Sequence, residues 1–254
     1  MTKQSRVPVV ARMIALGLAT DETTARELID RRLVLVQGAV VDNPSRLVAL
    51  GDSIVVTESE RFVSRGGFKL AAALEHFAIS LTDRSVLDVG ASTGGFTDCA
   101  LQAGAKIVYS LDVGKTQLHE RLQAHPQVVI VDEFNARGLG DSAIKASRGV
   151  PPVLDVIVVD VSFISVARLA QALVSSMAPD GDLVVLIKPQ FEASKEEADR
   201  GAGIIASPEI RSRVVEEVKT AFAVSGCDCL GVIESPITGA SGNTEFLAHF
   251  RMRK

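Results

Sequence analysis

The chain has 254 residues, a formal net charge of −4 and a 47% apolar composition. That length holds one large domain, or one medium and one small, with enough apolar residues for a sizeable core. Three cysteines, Cys99, Cys227 and Cys229, exclude a disulfide framework, four scattered histidines offer no metal cluster, and no run approaches the ~20 apolar residues that span a bilayer.

The charge is unevenly placed. Residues 1–69 carry ten Lys and Arg against eight Asp and Glu, whereas the remainder carries seventeen against twenty-three. A basic front is where an RNA contact is expected. Lys3 and Arg6 precede the apolar stretch Val7–Ala19 in the manner of a signal peptide. Arg12 interrupts that stretch and no small-residue cleavage site follows, so it is read as a helix of a folded domain. With free cysteines as well, the expected location is the cytoplasm.

Residues 1–60 read as a small α+β module. Ala11–Leu18 is helical in pattern, and Thr20-Asp21-Glu22-Thr23 supplies caps for a helix reaching about Arg32. Leu33–Val41 reads as two short strands around a turn at Gln37-Gly38, and Ile54–Val56 follows Gly51-Asp52 as a third. Residues 61–67 read as a linker, and Phe68–Phe77 as an alanine-rich helix.

From Val86 onward, strands near 86–89, 107–111, 128–131, 154–159 and 183–187 alternate with helices. This is the pattern of a Rossmann-like α/β fold with a mostly parallel sheet. Cys227–Glu234 and Phe246–Arg251 read as a terminal hairpin, which makes one strand antiparallel.

The first of these strands breaks into Asp88-Val89-Gly90-Ala91-Ser92-Thr93-Gly94-Gly95. The spacing is neither that of the dinucleotide fingerprint nor that of a P-loop. An acidic residue ahead of the first glycine suits a ligand with a cationic amino-acid end, and S-adenosyl-L-methionine is such a ligand. The cofactor-binding candidates are the backbone around Gly90, Ser92, Gly94 and Gly95, with Asp88 near the amino-acid end. Asp112 ends the second strand, where a ribose diol is held in nucleoside-binding sheets; the alternative is that it caps a helix beginning near Thr116. Asp132 or Glu133 follows the third strand and is a candidate for the adenine edge, or a solvated turn.

Four charged residues sit where polar groups need a reason. Lys69 opens a helix, Asp160 ends Val156–Val159, Lys188 ends Leu183–Ile187, and Glu245 begins the final strand. Carboxyl ends of parallel strands border the crevice where such sheets bind ligands. Lys195–Gly203 is charged and contains glycine; it reads as a flap or as an ordinary loop.

The order of these four resembles the Lys-Asp-Lys-Glu tetrad of RNA ribose 2′-O-methyltransferases of the FtsJ class. The wider match is to the TlyA family. It rests on Val63–Leu70, Asp88–Thr97, Asp160–Ser165, Lys188–Glu192 and Ser235-Pro236 with Gly242–Glu245. Residues 1–60 resemble the RNA-binding domain named after small-subunit ribosomal protein S-four, through Gly17-Leu18-Ala19, Ala25–Ile29, Val34–Gly38 and Gly51–Val56. The resemblance implies an S-four-like domain followed by a methyltransferase domain from residue 68. It implies an enzyme that methylates cytidine ribose in ribosomal RNA, and no metal is expected. Lys69, Asp160, Lys188 and Glu245 are then catalytic, Lys188 being the base or the group that orients the hydroxyl. Arg26, Arg31, Arg32 and Arg65 are candidate RNA contacts. The expected partners are ribosomal RNA or ribosomal subunits, with no membrane. The competing readings are a membrane-active cytolysin, suggested by the family's older haemolysin label, and a non-catalytic ribosome assembly factor.

Overall fold

The computed structural model describes residues 6–57, 61–115 and 117–253. The chain divides into two compact units, Met1–Arg61 and Phe62–Lys254.

In the first unit, strand β1 (Arg6–Pro8) runs into helix α1 (Val9–Ala15), and α2 (Glu22–Asp30) follows. Asp21 caps α2, its carboxylate accepting from the Thr24 N–H at 2.8 Å. Strands β2 (Val34–Val36), β3 (Ala39–Val40) and β5 (Ile54–Val56) form an antiparallel sheet in the order β3-β2-β5, and β4 (Leu47–Ala49) pairs with β1. The β2–β3 loop is Gln37-Gly38, with φ of 53° and 78°, the double left-handed turn that a two-residue hairpin requires. Val9, Met13, Ala25, Ile29, Val34 and Val48 close this unit's core. The β1–β4 pair was not expected, because three-residue strands are too short to show a period.

The second unit begins earlier than expected. Residues 62–67 are part of it and not a linker. Phe62 is buried, the Val63 N–H donates to Asp98 Oδ2 at 2.7 Å, and helix α3 (Gly66–His76) already includes both glycines. The unit continues through β6 (Ser85–Val89), α4 (Gly95–Gln102), β7 (Ile107–Leu111), α5 (Glu120–Gln123), β8 (Val128–Val131), α6 (Ser142–Ser147), β9 (Leu154–Val159), α7 (Ala170–Val174) and β10 (Met177–Ile187). Then come α8 (Pro189–Glu192), α9 (Lys195–Arg200), α10 (Pro208–Val224), β11 (Cys227–Glu234) and β12 (Phe246–Met252). Thr116 lies outside the described residues, so a helix beginning there does too; α5 is capped by His119.

The seven strands form one sheet in the order β11-β12-β10-β9-β6-β7-β8. Strands β6 to β10 are mutually parallel, and β12 is antiparallel to both β10 and β11. The expected mixed sheet with an antiparallel terminal hairpin is thus present. Side chains alternate between two packed faces: Val156, Val158, Val184 and Leu186 enter one core, and Ile157, Val159, Val185 and Ile187 the other. Burial on both faces explains why these strands read as unbroken apolar runs.

Strand β10 starts well before the expected Leu183. Its polar opening is held at Asp182, which accepts from Arg84 Nη1 at 2.6 Å, His249 Nε2 at 2.7 Å and Arg251 Nε at 2.6 Å. The chain proceeds from β6 outward to β8, then returns to the other side of β6 at β9. The β6–β9 boundary is therefore the switch point at which an open α/β sheet binds its ligand. Among the described residues, no helix is long and apolar enough to cross a membrane.

Candidate active site

The glycine turn sits at that switch point. Gly90 has φ +88°, and a Cβ built on it would lie 2.5 Å from the Asp160 carbonyl oxygen. Both the conformation and the close backbone approach require glycine there. Gly90 and Ala91 donate their N–H groups to Leu111 O, tying the turn to β7. Gly94 caps α4 and faces Leu118 and Leu122 rather than a cleft. Gly95 packs its Cα against Ser64 and Gly67, which lets α3 and α4 approach closely.

Asp88 lies behind the turn, fully buried and absent from the cleft walls. Its carboxylate accepts from Thr97 Oγ1 at 2.6 Å, and Thr97 also meets Ser110 Oγ at 2.7 Å. Asp88 Oδ1 has no hydrogen-bond partner among the described residues. Burial, partly offset by the Thr97 hydrogen bond, pushes the carboxyl up to about 7. Asp88 thus locks strand, turn and helix together from inside.

Two clefts open on the other side of the turn and share Gly90, Ser92, Asp160 and Ser162 as a common wall. The larger, of about 510 Å³, is bordered by Leu111, Asp112, Phe134, Asn135, Val161 and Ile164. Asp112 accepts from the Ser92 N–H at 2.9 Å through one oxygen and from the Gly114 N–H at 3.0 Å through the other. Each oxygen retains a lone pair for a diol. Apolar walls beside an acid that can take two hydroxyls fit an adenosine moiety, and the glycine cradle fits a chain running on toward the second cleft. Phe134 and Asn135 line this cavity, whereas Asp132 is half-buried outside its wall.

The smaller cleft, of about 250 Å³, is lined by Lys69, Asp160 and Lys188, with Ser64 and Arg65 at one side. Lys69 Nζ lies 2.5 Å from Glu245 Oε2, with both side chains buried. Lys188 Nζ lies 2.5 Å from Asp160 Oδ1 and donates to Ser162 Oγ at 2.9 Å. The four charges therefore form two ion pairs at one cleft. Glu245 stands behind Lys69, with Gln190 Nε2 at 3.5 Å from its other oxygen. Pairing of this kind is what permits charged groups to remain buried.

Arg65 reaches this cleft and donates to Thr238 O at 2.8 Å. In the first unit Arg26 is exposed and bonds Glu22 at 2.7 Å, while Arg31 and Arg32 are exposed just after α2. Lys195–Gly203 is a tethered segment. It holds α9 with a Ser194–Glu197 capping box, Arg213 pairs with Glu197, and Asn243 Nδ2 donates to Gly203 O. Sequence reasoning missed Ser162, Phe163 and Glu192. Phe163 is 92% exposed at φ +63°, a conformation that no pattern of residue types announces.

A model of FtsJ-like methyltransferases matches residues 62–252. The "16S/23S rRNA (cytidine-2'-O)-methyltransferase TlyA" of Mycobacterium tuberculosis is 41% identical, over 99% of this chain and 91% of that protein. "Hemolysin A" of Brachyspira hyodysenteriae is 37% identical, over 92% of this chain and 95% of its own length. A solved structure described as "Putative hemolysin from Streptococcus thermophilus" superimposes with a TM-score of 0.70 at 34% identity, covering 99% of this chain and 90% of that one.

Proposed function

The chain belongs to the FtsJ-like methyltransferase family, and on that premise we propose that it methylates the 2′-hydroxyl of a cytidine ribose in ribosomal RNA. Its cofactor is S-adenosyl-L-methionine, whose methyl group is already activated on a sulfonium when bound. The observation that carries the reading is the shared wall of the two clefts. Gly90, Ser92 and Asp160 border both the nucleoside-sized cavity and the cleft of paired lysines. A reacting hydroxyl in the second cleft is thereby brought against a group held in the first, and alignment is the main task of a methyl-transfer site.

The ribose hydroxyl is a weak nucleophile and must lose its proton near the transition state. Lys188 is the group that handles it. Asp160 Oδ1 stands against its Nζ as a counter-charge, and Ser162 Oγ accepts one of its N–H groups. A neutral amine held so keeps its lone pair for the hydroxyl proton, and an ammonium held so keeps an N–H to orient the oxygen. Lys69, backed by Glu245, presents a fixed positive charge to the ribose oxygens. Asp112 would hold the cofactor ribose, and the turn through Gly90 and Ser92 would hold its amino-acid portion.

RNA capture falls to the first unit and to Arg65. The exposed Arg26, Arg31 and Arg32 suit phosphate contacts, which supports an S-four-like role for residues 1–60. A ribosomal RNA substrate supports a cytoplasmic location.

The test is transfer of a tritiated methyl group to isolated ribosomal subunits and to naked rRNA, with mapping of the product. The expected product is 2′-O-methylcytidine, seen as a block to alkaline cleavage. Label on a base, or no transfer to either substrate, would refute the reading.

A further inference from the structure

The loop Asp160–Ile164 carries one partner of each kind that Lys188 uses, a carboxylate and a hydroxyl. Its near end is fixed to the sheet, because the Asp160 N–H donates to Val89 O at 2.9 Å. Its far end is fixed by Glu192. The Glu192 carboxylate accepts from Ser165 Oγ at 2.6 Å and from the Val166 N–H at 2.7 Å. Glu192 closes α8, the single helical turn that starts immediately after Lys188. Glu192 lies four positions after Lys188, so both ride on one rigid turn.

Resting on the methyltransferase reading above, we propose that Glu192 is the positioning residue that fixes the Asp160–Ile164 loop against Lys188. The loop needs such a clamp. Phe163 is held at φ +63°, against Phe191 at a ring separation of 5.2 Å. Aromatic residues leave that conformation unless their surroundings hold them in it. Without the clamp, Asp160 remains tied to Val89 while Ser162 is free to move, and Lys188 loses the second of its two partners. Glu192 is costly to keep in place: burial pushes its carboxyl above the usual carboxylate range against the pull of Ser165 and Val166. The motif that follows Lys188 thus contributes its last residue to the geometry of the site without touching the substrate.

The experiment compares Glu192→Ala, Glu192→Asp and Glu192→Gln in the full chain. Three quantities are read: turnover at saturating cofactor and rRNA, cofactor affinity by calorimetry, and backbone hydrogen exchange by mass spectrometry. Glu192→Ala should lose on the order of 10²-fold in turnover, the scale of a misplaced group. Its cofactor affinity should fall far less than its turnover, by under about tenfold, because Asp112 and the Gly90 turn keep their own bonds while only the Val161–Ile164 side of the cavity loosens. Faster exchange should be confined to residues 160–168. Glu192→Gln should recover turnover to within about fivefold, since its amide oxygen accepts from Val166 and its amide nitrogen donates to the Ser165 hydroxyl. Glu192→Asp keeps the charge but is one methylene short, so it should behave like Glu192→Ala; it carries the test if the alanine variant does not fold. Wild-type turnover in Glu192→Ala, equal losses in Glu192→Ala and Glu192→Gln, or unchanged exchange at 160–168 would overturn the proposal. Should the wild-type protein transfer no methyl to rRNA, the functional reading fails, and the exchange measurement alone decides the clamp.

Discussion

Gly90 faces the backbone of Asp160 so closely that a Cβ on Gly90 would stand 2.5 Å from the Asp160 carbonyl oxygen. This contact joins the turn proposed to cradle the cofactor to the loop that carries Asp160 and Ser162, the partners of Lys188. A side chain on one therefore displaces the other.

Gly90→Ala should weaken S-adenosyl-L-methionine binding at least about tenfold. Its control is Gly203→Ala, at φ +86° with nothing within 4 Å of its Cβ. The control bears the backbone strain alone and should bind the cofactor normally. Asp112→Ala should also lose roughly tenfold or more in affinity, by removing the diol acceptor. Calorimetry decides all three, and unaltered binding by Gly90→Ala would place the cofactor elsewhere.

The two lysine pairs should act as one unit. Lys188→Ala should abolish methyl transfer with RNA affinity nearly unchanged, because the lost contact matters mostly in the transition state. Lys69→Ala and Glu245→Ala should be severely impaired, and combining either with Lys188→Ala should add little. Glu245→Ala should also lower the melting temperature, since it strands a buried ammonium. Lys188→Arg should not rescue, because a guanidinium does not accept a proton. Single-turnover rates under saturating cofactor test this, and near-normal turnover by Lys188→Arg would leave Lys188 an orienting role only.

Replacing Arg26, Arg31 and Arg32 together should weaken rRNA binding and flatten its salt dependence by about one unit of slope per lost phosphate contact. Arg65→Ala should act in the same direction. Cofactor affinity should not change in either variant. The separate unit Phe62–Lys254 should bind the cofactor and methylate rRNA poorly. Filter binding across a salt series checks the slopes; equal rRNA methylation by that unit and the whole chain would refute a role for the first unit in capture.

Asp88 predicts a pH dependence of stability. Its carboxyl stands at about 7 in the folded chain, chiefly through burial, and near 3.9 in an unfolded one. Between those values the unfolded chain binds fewer protons, so stability falls as pH rises from about 4 to about 7 and levels off above. The loss is on the order of a few kcal/mol. Asp88→Asn does not titrate and should flatten this interval. Urea midpoints at about pH 5 and pH 8 give the comparison, and a wild-type midpoint independent of pH would remove the basis for the raised value.

Much of the second unit follows from the sequence alone. Val156–Val159 and Leu183–Ile187 are apolar because both faces of their strands are buried, and a charged residue ending such a run sits at the carboxyl end of its strand, where the ligand crevice opens. Asp160 and Lys188 were legible for that reason, and the Gly90 turn because only glycine permits its φ. The tertiary structure decided what periodicity does not encode, namely which distant segment meets each face. Asp88 precedes the same turn, yet the packing of Thr97 and Ser110 draws it into the interior, behind the cleft walls. Residues 61–67 read as a linker because they are few and contain two glycines, but Phe62 is buried and the two glycines begin a helix pressed against α4. Lys69 and Glu245 pair across 176 positions, and Glu192 finds Ser165 across 27. A local pattern reports how much of a side chain is buried. Only the folded chain sets the partner, since a buried charge takes whichever counter-charge the topology brings within reach.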